Sequence, residues 1–193
     1  MAIVNGRQVG KVVSEIRGDH VKRYEFAAKH CDAFHVLDAA CGVGYGSMIL
    51  ADGGASHVEA IDVAPEAIQS AAEYFARPNI RWRIADLEKE PTFELVGAAV
   101  SFETIEHLSD PLPFLKSLRQ AARQLFASVP NQQRLRFLKH RFPDHYRHYT
   151  PIEFLELLDA AGWHVDEWWH QKDSEPGVLH EGPDGRTMIV IAS

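Results

Sequence analysis

After about residue 35 the chain alternates short apolar runs with segments whose apolar residues recur at helical spacing. Each parallel neighbour in a sheet needs a crossover, so this alternation predicts an α/β domain on a largely parallel sheet. Ahead of it, Val21, Tyr24, Ala27, Ala28 and Cys31 share a helical face, which predicts a leading helix over 19–31 lying across the sheet edge. Strands are expected at 35–39, 58–62, 80–84, 98–102 and 125–129, with a helix from Tyr45 to Ala51 after the first. Pro65 at a first helical position and the stripe Ala67, Ile68, Ala71, Ala72 and Phe75 mark the next helix. Asp110-Pro111 caps a third, carrying Phe114, Leu115 and Leu118. Thr150-Pro151-Ile152-Glu153 reads as a capping box before Phe154, Leu155, Leu158 and Ala161, with Gly162 as the stop. Residues 163–169 and 187–192 are the last two strands, expected to pair antiparallel across a Gly/Pro-rich loop.

Two segments break the pattern. Only residues 86–97, with Pro91 among them, join the third and fourth strands, so the crossover helix there is expected to be short or missing. Residues 131–149 carry His140, His145 and His148 without a clean period and are read as a lid on the substrate side.

Composition narrows the class. At 193 residues, 46% hydrophobic and 24% charged, the chain is expected to form one globular domain, with residues 1–34 as a helical lead-in. Twenty-seven acids against 20 Lys+Arg leave a net charge of −7, which removes the generic electrostatic footprint of a nucleic-acid binder. Two cysteines, Cys31 and Cys41, form neither a CxxC pair nor a disulfide framework, which suits a reducing compartment. With no leader pattern and no run of 18 apolar residues, the chain is read as soluble, cytoplasmic and independent of membranes.

The chemistry concentrates where the first strand ends, in Asp38-Ala39-Ala40-Cys41-Gly42-Val43-Gly44-Tyr45-Gly46. A strand, a glycine-rich turn and a helix place backbone N–H groups and a carboxylate around one crevice at the carboxyl edge of a parallel sheet. Twenty residues after Gly42, Asp62 ends the second strand, where a carboxylate can accept from ribose hydroxyls. Dinucleotide sites favour G-x-G-x-x-G, whereas position 47 here is Ser and Asp38 stands before the loop. A carboxylate there repels a pyrophosphate and attracts the ammonium of an amino acid, which opposes a nicotinamide-dependent oxidoreductase.

In these residues the chain resembles the class I S-adenosylmethionine-dependent methyltransferases. Val36 to Gly46 is similar to their first motif, Glu59-Ala60-Ile61-Asp62 to the acidic second-strand motif, Ala85-Asp86-Leu87 to the motif beside the adenine, and Ser101 to Leu108 to the fourth-strand motif. Arg23-Tyr24-Glu25-Phe26-Ala27 and His145-Tyr146-Arg147-His148-Tyr149-Thr150 resemble segments of the small-molecule branch, which includes enzymes of sugar and cell-surface polysaccharide pathways. Leu118 to Gln124 departs from that branch, lacking the proline and paired glycines usual before the fifth strand.

The resemblance implies a Rossmann-like, mostly parallel seven-stranded sheet with an antiparallel last strand and helices on both faces. It implies S-adenosylmethionine as cofactor and S-adenosylhomocysteine as product. Asp38, Ala39 and the backbone from Gly42 to Gly44 would surround the methionine part, with Tyr24 as a cover, and Asp62 would hold the ribose. Val63 would pack on the adenine, Asp86 accept from its amino group, Leu87 donate a backbone N–H, and Glu103 lie near the reacting centre.

Methyl transfer to an oxygen also needs a proton removed, a task suited to histidine near neutral pH. The candidates are His107, after the fourth strand, and His145 and His148 in the lid. No metal is expected, because Asp144, His145 and His148 lack a strong zinc spacing. Arg134, Arg136, Lys139, His140, Arg141, Arg147 and His148 form a local basic excess suited to a phosphorylated or carboxylated substrate. The reading is methyl transfer to a small hydroxylated acceptor such as a sugar, with a non-catalytic binding protein on the same scaffold as the alternative and homodimerisation left open.

Overall fold

The computed structural model describes every residue except 1, 5, 6, 90, 91 and 176, with backbone alone for 2–4 and 7–9. A small antiparallel hairpin, β1 (Ala2–Val4) and β2 (Arg7–Val9), opens the chain where only a helical lead-in was expected. There follow α1 (Gly18–Ala28), β3 (His35–Ala39), α2 (Tyr45–Asp52), β4 (His57–Asp62), α3 (Pro65–Tyr74), β5 (Ile80–Ile84) and β6 (Val96–Phe102). The rest is α4 (Pro111–Ala121), β7 (Ala122–Pro130), α5 (Pro151–Ala160), β8 (Val165–Gln171), β9 (His180–Glu181) and β10 (Thr187–Ala192). The main sheet runs β5-β4-β3-β6-β7-β10-β8-β9. β3 to β7 are mutually parallel, and β10 is antiparallel to both β7 and β8. The expected seven-stranded arrangement is present, extended by the two-residue β9.

Alternate strand residues feed two cores. Val36, Val58, Ala98, Val100 and Phe126 point to the face covered by α1, α2 and α3, where Tyr24, Ala27, Leu50, Ile68 and Phe75 are buried. Leu37, Ile61, Ala99, Leu125 and Val190 point to the other, against Leu115 and Leu118 of α4 and Phe154 and Leu158 of α5. Strands buried on both faces read as continuous apolar runs, which is why they were visible in sequence. Ala72 and Leu155, expected in the helix stripes, are exposed at the margins of their faces.

Both helix caps form as expected. The Asp110 carboxylate accepts from the Leu112 amide at 3.2 Å, and Thr150 and Glu153 close a reciprocal capping box. Among the described residues no helix joins β5 to β6, and Pro91 lies outside them. α4 passes into β7 without a loop, Ala121 ending the helix and Ala122 starting the strand opposite Val96. The missing proline-glycine turn is therefore replaced by an abrupt change to extended backbone at Ala122, φ −116° and ψ 146°. Trp163 precedes its expected strand: Gly162 turns the chain at φ +88°, and the buried indole N–H donates to the Leu115 carbonyl at 3.0 Å. No helix among the described residues is long and apolar enough to cross a membrane.

Candidate functional site

Because β3 to β6 are parallel and adjacent, the segments after Ala39, Asp62, Ile84 and Phe102 open on one edge of the sheet. Ligands of open α/β sheets bind at that edge, beside the strand where the order reverses, here β3. The loop after β3 holds left-handed backbone at Ala40 (φ 65°), Gly42 (φ 56°) and Gly44 (φ 91°) before α2 begins. A Cβ at Gly44 would stand 2.5 Å from Ala71 Cβ and 2.6 Å from the Trp82 ring, so glycine is required there for space as well as for φ. Gly46 lies under the Tyr24 ring, which a Cβ would overlap.

Tyr24, the expected cover, is 5% exposed and edge-on to Tyr45 and Phe102, and its hydroxyl donates to Asp38 Oδ1 at 3.0 Å. Ser47 Oγ donates to the other Asp38 oxygen at 2.6 Å. Asp38 is fully buried, and burial pushes its carboxyl up to about 6 against the opposing effect of these two hydrogen bonds. Asp62 accepts from the Gly42 amide and the Ala64 amide, each at 2.9 Å, so one carboxylate ties the glycine loop to the end of β4.

The next residues flank this centre. Ala39 is buried at the end of β3, and Val63 is 50% exposed just beyond Asp62. The Asp86 carboxylate accepts from the Glu88 amide at 3.0 Å and pairs with Lys89, the amide first and the lysine second holding it below the usual carboxylate range. Leu87 beside it is buried.

Glu103, directly after β6, has φ 51°, uncommon for a non-glycine residue. Its amide donates to Ser128 Oγ at 3.1 Å, and Ser128 Oγ donates to Glu103 Oε1 at 3.1 Å. Strain held by such bonds clusters at functional sites. Of the three non-glycine residues with left-handed φ among the described residues, Ala40 and Glu103 both lie at this edge.

A 3-10 turn, Ile105–His107, follows, and the 131–149 segment folds onto it. The Tyr146 amide donates to the Glu106 carbonyl at 2.7 Å, and His107 Nδ1 lies 3.0 Å from the Asp144 carbonyl. His145 Nδ1 lies 2.9 Å from His148 Nε2, and His148 Nδ1 lies 2.7 Å from the Leu135 carbonyl. The three histidines singled out in sequence thus meet, with the His107 and His145 ring centroids 4.4 Å apart. Carbonyls only accept, so the network assigns Nδ1–H to His107 and to His148. In a neutral His148 ring Nε2 then accepts from His145 Nδ1–H. Burial, reinforced by His107 and His148, lowers His145 to about 3, which makes it a poor proton acceptor.

Sequence reasoning missed Glu106. It is 1% exposed, and burial followed by the Glu103 charge raises its carboxyl well above the usual range. Two acids three residues apart just after a strand were the available signal, but burial of the second depends on the lid.

The basic stretch is largely engaged in local contacts. Arg134 pairs with Asp184, Lys139 donates to the His145 carbonyl, and Arg147 lies over the Tyr149 ring. At the lid's base, Ser109, Asp110, Arg147, Tyr149 and Glu153 line a hollow of about 340 Å³ of mixed charge.

Comparison with known proteins agrees with this geometry. Residues 36–125 match a family described as a methyltransferase domain. The chain is 31% identical to a probable S-adenosylmethionine-dependent methyltransferase of Mycolicibacterium smegmatis, over 77% of this chain and 59% of that protein. It therefore spans little more than half the length of that curated relative. A methyltransferase structure from Mesorhizobium loti superposes with a TM-score of 0.69 at 14% identity, covering 88% of this chain and 97% of the other. Magnesium protoporphyrin IX methyltransferase from Synechocystis, with bound S-adenosylmethionine, gives 0.64 at 19% identity, covering 91% and 76%. Residues 36–125 thus match a methyltransferase domain, and in fold, motif order and sequence the chain is similar to the class I S-adenosylmethionine-dependent methyltransferases.

Proposed function

We propose that the chain transfers a methyl group from S-adenosylmethionine to the hydroxyl of a small acceptor, such as a sugar or related metabolite. The observation that carries this is the placement of Asp38, Gly42, Gly44, Asp62 and Glu103 along one edge, on consecutive loops of adjacent parallel strands. In this reading the Gly42 to Gly44 backbone and buried Asp38 receive the methionine ammonium, Asp62 the ribose, and exposed Val63 the adenine face. Asp86 and Leu87 bound the adenine edge.

The reaction is an in-line displacement. The acceptor oxygen bonds to the methyl carbon while the carbon–sulfur pair returns to sulfur, leaving S-adenosylhomocysteine. Positive charge disperses as this happens, so alignment and water exclusion supply much of the acceleration. The lid, tied to the Ile105–His107 turn through Tyr146 and Asp144, suits water exclusion. The acceptor's proton leaves on the side of the His107–His145 pair, with His148 aligning His145.

Calorimetric titration of the purified chain with S-adenosylhomocysteine tests the cofactor half. Saturable micromolar binding is expected, and no heat at millimolar ligand overturns it. Binding without turnover across hydroxylated acceptors, sugars included, would instead favour a non-catalytic scaffold. Cytoplasmic location and action without nucleic acid are parts of the same proposal.

A further inference from the structure

We propose that Arg23 receives an acidic group, carboxylate or phosphate, carried by the methyl acceptor, so that the substrate of the proposed transfer is a hydroxylated acid. Arg23, on α1, is 1% exposed, and its Nε and Nη2 are buried with no hydrogen-bond partner among the described residues. Its Nη1 donates to Gln171 Oε1 at 2.8 Å, and Gln171 Nε2 donates in turn to the Asp19 carbonyl at 2.9 Å.

Nε and Nη2 share one edge of the guanidinium plane, so the unmet donors make up a complete side-on fork. Its parallel N–H groups match the paired oxygens of a carboxylate or phosphate. A guanidinium does not shed its proton, and a buried charge is costly without a partner. No carboxylate among the described residues hydrogen-bonds the fork. Glu106 feels the Arg23 charge, yet it too keeps a buried, unpartnered oxygen, so the two side chains do not meet. Burial, followed by the Glu103 charge, raises the Glu106 carboxyl well above the usual range and favours its neutral form. The fork is therefore a buried cationic edge shaped for an anion that the fold itself does not supply.

Its position suits an acceptor. Gln171 ends β8 opposite Thr187, which stands opposite Pro130 at the end of β7, so Arg23 is tied to the sheet edge on which the crevice opens. Burial raises the Tyr45 hydroxyl at the start of α2, and the Arg23 charge works against it there as it does at Glu106. The guanidinium thus lies within electrostatic reach of both the glycine loop's helix and the turn after β6. Gln171 also lines a hollow of about 260 Å³ at this edge, whose charged residues are Arg17, Lys172 and Arg186 against Asp19 and Asp173. That lining is net positive in a chain of net charge −7, which favours entry of an anion. This assignment rests on the methyltransferase reading above. Anchoring the acid end of the acceptor fixes the angle at which its hydroxyl meets the methyl carbon, the alignment on which an in-line displacement depends.

The test is heteronuclear NMR of the full chain, with and without S-adenosylhomocysteine, using inorganic phosphate, glucuronate and uncharged glucose as probes. The Arg23 Nε–H resonance is assigned through bonds along its own side chain, so identifying it needs no variant. Phosphate and glucuronate should each shift it saturably and compete with one another, and glucose should leave it in place. Arg23→Lys keeps the charge but removes the fork, and should weaken glucuronate binding by about tenfold or more with S-adenosylhomocysteine affinity kept within about twofold. A resonance that neither anion moves overturns the proposal, as does equal glucuronate affinity in Arg23→Lys. If S-adenosylhomocysteine alone shifts the resonance and methylthioadenosine, which lacks the carboxylate, does not, the fork holds the cofactor's own acid group and the acceptor assignment falls. Shifts by both anions in a chain that binds no S-adenosylhomocysteine uphold the anion site and overturn the methyltransferase reading.

Discussion

Asp38 couples stability to pH at the proposed ammonium site. Burial raises its folded pKa to about 6 from 3.8, so the native state holds the proton more tightly than the unfolded chain. Its contribution is fully present below about pH 4 and is lost as pH rises through about 6, a change of about 3 kcal/mol. Relative to Asp38→Asn, the wild type should lose about that much unfolding free energy between these pH values in urea titrations; parallel pH curves would refute it. Above pH 6 the carboxylate is ionised and buried, held by Tyr24 and Ser47, and a cofactor ammonium would offset its charge. Asp62→Ala should weaken S-adenosylhomocysteine by the ~1.5–3 kcal/mol of a charge-assisted hydrogen bond, read calorimetrically; unchanged affinity removes Asp62 from the site. Both acids were legible in sequence because covalent spacing alone sets them at the ends of adjacent strands. The approach of Tyr24 to Gly46 was not legible, because it depends on how α1 crosses α2, which no local pattern encodes.

Among the elements, legibility followed whether the determinant was local. Caps, first-turn prolines and apolar strands are local, and α3, α4, α5 and the parallel strands stand within a few residues of expectation. The α4–β7 junction and the position of Trp163 are not local, since both depend on packing between α4, α5 and the sheet. Thr150 follows the lid segment and opens α5, so its capping box anchors the lid's far end, as β7 anchors the near one. Thr150→Ala should lower unfolding free energy by about 1 kcal/mol in chemical denaturation, and also raise hydrogen exchange in 131–149. A stability loss without added lid exchange would mean that the lid is held by its other contacts, those of Tyr146, Asp144 and Arg134 among them.

Across the whole molecule, the proposed cofactor and acceptor halves sit on different supports. Asp38, Gly42, Gly44 and Asp62 ride on β3, β4 and the α2 start, whereas Glu106, His107 and His145 ride on the β6 turn and the lid. Residues in separate loops without shared partners act nearly additively. Substituting His107 by Asn should therefore cut turnover at least tenfold, as expected for loss of a group that handles the acceptor proton, without altering the cofactor crevice. Ligand binding to the native state alone stabilises it by RT ln(1 + [L]/Kd), about 2.7 kcal/mol at a hundredfold excess over Kd. For a chain of this length that corresponds to a rise of roughly 5–11 °C in Tm. The His107→Asn protein should show the same S-adenosylhomocysteine-induced rise as the wild type in a thermal scan at matched ligand. If the shift falls along with turnover, the turn after β6 is coupled to the glycine loop, and the Thr104 hydroxyl, 3.5 Å from the Ala39 carbonyl, is the contact through which that coupling would run.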